Sequence, residues 1–115
     1  MTEDTRGLAV QYYETLIAHS ENRPRPAKAN RLFKKIHALY KQLRESEEGR
    51  AAISALLTDQ SVDVRLGAAT HSLFWRREDA EAVLEEIAKM GDKDQRINAT
   101  MVLMQFRAGH LNLDW

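Results

Sequence analysis

Apolar residues recur at intervals of three and four along most of this chain, the spacing of one face of an α-helix. A first helix is predicted over Thr5 to about Ser20, where Leu8, Ala9, Tyr12, Tyr13, Leu16 and Ile17 cover a broad arc and Gly7 weakens the opening turn. Two prolines in ENRPRP, Glu21 to Pro26, remove backbone donors and make this stretch a loop. From Ala27 to about Arg44 the pattern is sharper. Leu32, Phe33, Ile36, Leu39, Tyr40 and Leu43 fall on one side, opposite Arg31, Lys34, Lys35, Lys41 and Arg44. Ser46 can cap a third helix that runs to about Thr58, with Glu47 and Glu48 at its positive end and Gly49 interrupting continuity. Ser61 can cap a fourth, to about Trp75, apolar on nearly all sides except a strip through Arg65, Ser72 and Arg76, which predicts neighbours on both flanks. Helix five, Glu78 to about Met90, turns Ala80, Val83, Leu84, Ile87 and Ala88 inward and ends at Gly91. Helix six spans about Lys93 to Ala108, with Gly109 beyond it. The tail, with Leu111, Leu113 and Trp115, is expected to fold back over that helix.

The pattern repeats. Ile53 to Arg76 reads as a helical hairpin, and placing Arg65 over Arg96 aligns Ile53 with Leu84, Leu56 with Ile87, Leu66 with Ile97, Ala68 with Ala99 and Leu73 with Met104. Placing Arg65 over Arg31 aligns Leu66 with Leu32 and Leu73 with Leu39. The expectation is an all-α fold: one domain over 1–115, a short right-handed superhelix of three hairpins at about 5–44, 47–75 and 78–108, capped by the tail 109–115. Asp59 in the turn, with Val64 and Arg65 opening the next helix, resembles a HEAT repeat. The run Ala29 to Ala69, with Asn30 to Phe33 at its start, a glycine break before the middle hairpin and Val-Arg-Leu-x-Ala-Ala at its end, resembles a small bacterial family of HEAT-like helical domains of unknown function. That resemblance implies a fold and no activity. Comparable helical stacks serve as immunity proteins against bacterial toxins, which is an analogy of fold alone.

Composition narrows the classes. A chain of 115 residues suits one domain, and 17 Lys and Arg balance 17 Asp and Glu, so overall charge points to no polyanion or membrane. The absence of cysteine removes disulfides, thiolate metal sites and thiol nucleophiles together. The acidic start lacks the form of a secretory signal, and no apolar run approaches the roughly 20 residues of a bilayer span. A cytoplasmic protein with no membrane partner is expected.

Charge is unevenly spread. Eight basic residues and no acid lie between Arg23 and Arg44, whereas Glu78 to Asp94 carries seven acids against two lysines. The repeat register places Arg31, Arg65 and Arg96 at one slot and, three turns on, Gln42, Arg76 and Arg107 at another. With Lys35 these side chains would line the concave surface of a stack, an anion-accepting groove in which guanidinium forks meet carboxylates or phosphates. The competing reading has Arg65 and its equivalents bonded to Asp59, Asp63 or turn carbonyls. His19, His37, His71 and His110 have no partner at helical ligand spacing, so no metal is expected. Beside Trp75, His71 reads as a buried hydrogen-bonded histidine. Glu81, Glu85 and Glu86 stand on an exposed face where nothing would raise a pKa. No phosphate loop or nucleophile motif is present. The reading is a non-catalytic protein-interaction module with no cofactor, whose partner is another protein of acidic character. The alternatives are a toxin-neutralising immunity protein and a nucleic-acid binder, and a hydrolytic enzyme comes last. The polarity also allows head-to-tail association, and the C-terminal cluster of Met90, Met101, Met104, Phe106 and Trp115 is either closed core or a contact surface, for a monomer or a weak homodimer.

Overall fold

The computed structural model describes residues 1–115, and all its regular structure is helical. The elements are α1 (Glu3–Glu21), α2 (Pro26–Leu43), α3 (Glu47–Ser54), a 3-10 turn (Ala55–Thr58), α4 (Val62–Ser72), α5 (Arg77–Met90) and α6 (Lys93–Arg107). Every helix start but that of α5, which follows Arg76 without a side-chain cap, answers the orphan amides of its first turn. Thr2 accepts from the Thr5 amide, Ser46 from Gly49 at 3.0 Å and Ser61 from Val64 at 3.3 Å, while Pro26 opens α2 at the position where its missing N–H costs nothing. At α6 the cap is reciprocal. Asp92 accepts from the Gln95 amide and the Gln95 side chain accepts from the Asp92 amide, both at 2.9 Å.

The chain divides into two compact units, Met1–Ile53 and Ser54–Trp115. In the first, α1 lies along α2, and Tyr12, Leu16, Ile36, Leu39, Tyr40 and Leu43 are buried. Burial, and then the neighbouring Tyr40 phenol, push the Tyr12 hydroxyl far above its ordinary range, so it stays neutral at any working pH. The turn from α2 into α3 is close enough that a Cβ on Gly49 would sit 1.8 Å from the Leu43 carbonyl oxygen, so only glycine fits there. In the second unit α4 packs on the 3-10 turn, on α5 and on α6, and α5 and α6 form an antiparallel-type hairpin across the short Gly91–Asp92 connection. Its buried residues include Leu57, Val64, Leu66, Leu73, Leu84, Ile87 and Leu103. Trp75 donates its indole N–H to the Ser54 hydroxyl at 2.8 Å.

Several expectations need correction. The third helix tightens into a 3-10 turn after Ser54 instead of continuing as α-helix. Ser72 is fully buried, and its hydroxyl donates to the Ala68 carbonyl at 2.7 Å, which hides the polarity that periodicity assigned to an outer strip. Phe33 is exposed beside the α1–α2 turn, its ring 6.3 Å from that of His19. Gly91 does end α5 as expected, without left-handed geometry (φ −70°); what demands glycine there is space, since a Cβ would meet the Ile87 carbonyl oxygen at 2.9 Å. Gly109 does take the left-handed form (φ 77°) and completes a Schellman ending, with Gly109 N–H bonded to Phe106 O and His110 N–H to Gln105 O.

Candidate functional site

The six cationic residues singled out by repeat register divide by what holds them. Arg65 donates to the carbonyls of Asp59 at 2.7 Å and Gln60 at 3.2 Å, and Arg96 to that of Gly91 at 2.8 Å. Both guanidinium groups therefore tie the start of a helix to the turn before it, the structural use that competed with anion binding. Arg50 repeats the device on α3, donating to the Arg44 carbonyl at 2.7 Å, which register had not singled out. Arg76 forks onto Asp79 at 2.6 and 3.0 Å. Arg107 bridges Glu81 and Glu85 of α5, and Glu81 receives Arg77 at 2.7 Å on its other oxygen. The hydrogen bonds from Arg77 and then Arg107 hold the Glu81 carboxyl below its usual range, and the same contacts from Glu81 and then Glu85 raise Arg107. Arg77 also lies 5.5 Å over the Phe106 ring, which meets Phe74 edge-on at 5.6 Å. Of the acids expected on this face, Glu81 and Glu85 are thus neutralised by arginine.

Arg31 and Lys35 differ. Both are exposed on α2 and neither meets a carboxylate or carbonyl, and the same holds for Lys28 and Lys34. Positions 28, 31 and 35 share a helical face, with 34 at its edge, so four cations stand together without an acid among them. They belong to a unit holding ten Lys and Arg against seven Asp and Glu, a charge of +3; the other unit has seven against ten, −3. This concentration was legible as the acid-free stretch from Arg23 to Arg44; its lack of internal partners was not.

No group of His, Asp and Glu is placed to hold a metal ion, and no helix is long and apolar enough to cross a membrane. His71 is buried, as its place beside Trp75 suggested. The tail does not close over the C-terminal methionines. Leu113 is buried, but Met101 and Met104 remain 53% and 65% exposed, as does much of Met90 and Trp115.

No curated protein matches the sequence. The crystal structure of the protein RPA1889 from Rhodopseudomonas palustris CGA009 superposes on this chain with a TM-score of 0.85 at 23% identity, over 97% of this chain and 93% of that one, a likeness of fold. The sequence pattern of DUF2019, a domain of unknown function, matches residues 12–107, from the middle of α1 to the end of α6 and including every cation discussed above, and the chain belongs to that family.

Proposed function

We propose that this chain works by binding, without chemistry of its own, and that the face of α2 bearing Lys28, Arg31, Lys34 and Lys35 receives an acidic segment of another protein. The supporting observation is that these four cations are exposed and unpaired, whereas Arg65, Arg76, Arg96 and Arg107 are each engaged within their own unit. Four like charges at i, i+3 and i+4 spacing repel one another and weaken the helix, by about 0.2–0.5 kcal/mol per pair. A surface that keeps this cost is suited to a ligand that relieves it. The amphipathic pattern would be satisfied equally by interspersed acids. A toxin-neutralising role is a special case of this reading, with the toxin as the acidic partner.

The test is fluorescence anisotropy of a labelled glutamate-rich peptide titrated with the whole chain. Binding is expected at about 0.05 M salt and its loss at about 0.5 M, where exposed charges are screened beyond a few ångströms. R31E/K35E should abolish it without lowering the urea midpoint, while K89E/K93E, an equal change of net charge elsewhere, should leave it nearly intact. Equal loss in both variants would reduce the effect to net charge and sink the reading. Tighter binding of a duplex DNA of matched charge would point to nucleic acid instead.

A further inference from the structure

Helix α6 has two apolar faces. Ala99, Val102, Leu103 and Phe106 turn inward, and on the opposite side Ile97, Met101, Met104 and Ala108, spaced by four, three and four residues, make a second stripe. Ile97 is 49% exposed, and the tail leaves the stripe open. The internal repeat identifies what such a stripe is shaped for. Leu66, Thr70 and Leu73 of α4 occupy the register positions of Ile97, Met101 and Met104; there Leu66 and Leu73 are buried, and α4 has the following pair, α5 and α6, packed on it. Residues 108–115 form no further helix pair. The stripe is a face made for an adjoining helix.

The first helix supplies a candidate. Flanking its buried Tyr12 and Leu16, α1 carries Val10, Tyr13 and Ile17 along one line, with Val10 50% and Tyr13 37% exposed. The charges of the two helices are complementary. Between Glu3 and Glu21, α1 has Glu3, Asp4, Glu14 and Glu21 against Arg6, a charge of −3; on α6, where Arg107 is already bonded to Glu81 and Glu85, Lys93 and Arg96 against Asp94 leave a charge of +1. A two-fold pairing of α6 with α6 would bring like charges together, and so would α1 with α1, whereas α6 against α1 brings unlike ones. We infer that the occupant of the α6 stripe is α1 of a second copy of this chain, a heterologous contact that uses a different surface on each partner. This goes beyond the binding role given to α2 and does not depend on it, since neither stripe includes Lys28, Arg31, Lys34 or Lys35.

Sedimentation equilibrium of the whole chain should show a mass that rises with protein concentration and falls back as salt is raised. M101E/M104E leaves α1 intact and blocks α6; V10E/Y13E does the reverse. Each alone should be monomeric, its self-association weakened by about a hundredfold or more, because a glutamate would be buried in an apolar contact. Mixed in equal amounts, the two variants should form a complex of two chains and nothing larger, since one intact face of each kind remains. All four positions are exposed, so circular dichroism and the urea midpoint should match the parent; M101A/M104A provides a milder version if the glutamates disturb α6. A parent chain that stays monomeric at millimolar concentration overturns the inference. So does a V10E/Y13E chain that associates as the parent does, the result of α6 pairing with itself, or a mixture of the two variants that fails to recombine.

Discussion

Glycines show most plainly how one side chain decides local structure. Gly7 lies in the first turns of α1, and nothing stands within 4 Å of where its Cβ would be; Gly49 would place that atom inside the Leu43 carbonyl. The two substitutions by alanine should therefore diverge. Gly7→Ala should raise stability by about 0.5–1 kcal/mol, through helix propensity and a less flexible unfolded chain. Gly49→Ala should cost at least the upper end of the roughly 1–3 kcal/mol of an overpacked site, and urea midpoints of both variants test this. Acid titration is decided at this scale too. Glu48, which accepts the Thr2 amide at 3.0 Å and faces the N-terminal ammonium, and Glu81 between two arginines both have carboxyl groups held below their usual range. A carboxylate with a depressed folded-state pKa stabilises the fold above the unfolded value and loses that contribution as pH falls through the folded one. Stability should thus decline on acidification below the ordinary carboxylate range, with a shallower decline in E81Q.

At the scale of helices, most boundaries were readable because they are made by chemistry close in sequence. Ser46, Ser61 and the proline pair act within three residues, and all mark helix starts where expected. The Asp92–Gln95 capping box is as local, an Asp-x-x-Gln spacing just before the apolar run of α6. Gln95 also donates to Asp63 at 3.0 Å, a link to α4 that no spacing rule contains. Asp92→Ala should cost about 1 kcal/mol for the lost cap. Deleting Leu111 to Trp115 should lower stability by about 2 kcal/mol, the burial of Leu113, and leave association unchanged because the tail does not cover the α6 stripe. On α2 the expectation runs the other way. Arg31→Glu sits four residues before Lys35 and three from both Lys28 and Lys34, so it should stabilise the chain by about 0.5 kcal/mol while removing the proposed binding. A stabilised variant that still binds the acidic peptide would separate charge from recognition.

Across the whole molecule, a formal charge of zero conceals units of +3 and −3. Self-association driven by unlike charges should be strongest near the isoelectric point of about 6.9 and weaken on moving away from it or on adding salt, which light scattering against pH would show. The sequence by itself determined that the fold is all-helical, where its helices start, and that the basic residues gather on α2, because helical periodicity, caps and local charge depend on residues within one or two turns of each other. It could not determine which arginines are free. Repeat register puts Arg107 and Arg31 on one expected surface, at different slots, but Arg107 has its partners Glu81 and Glu85 26 and 22 residues away on another helix. Nor could it show which apolar face of α6 is covered, since both carry helical spacing and only the neighbours α4 and α5 select one. Those decisions belong to tertiary structure, where contacts between distant segments set burial and pairing, and burial and pairing set which groups remain available to a partner.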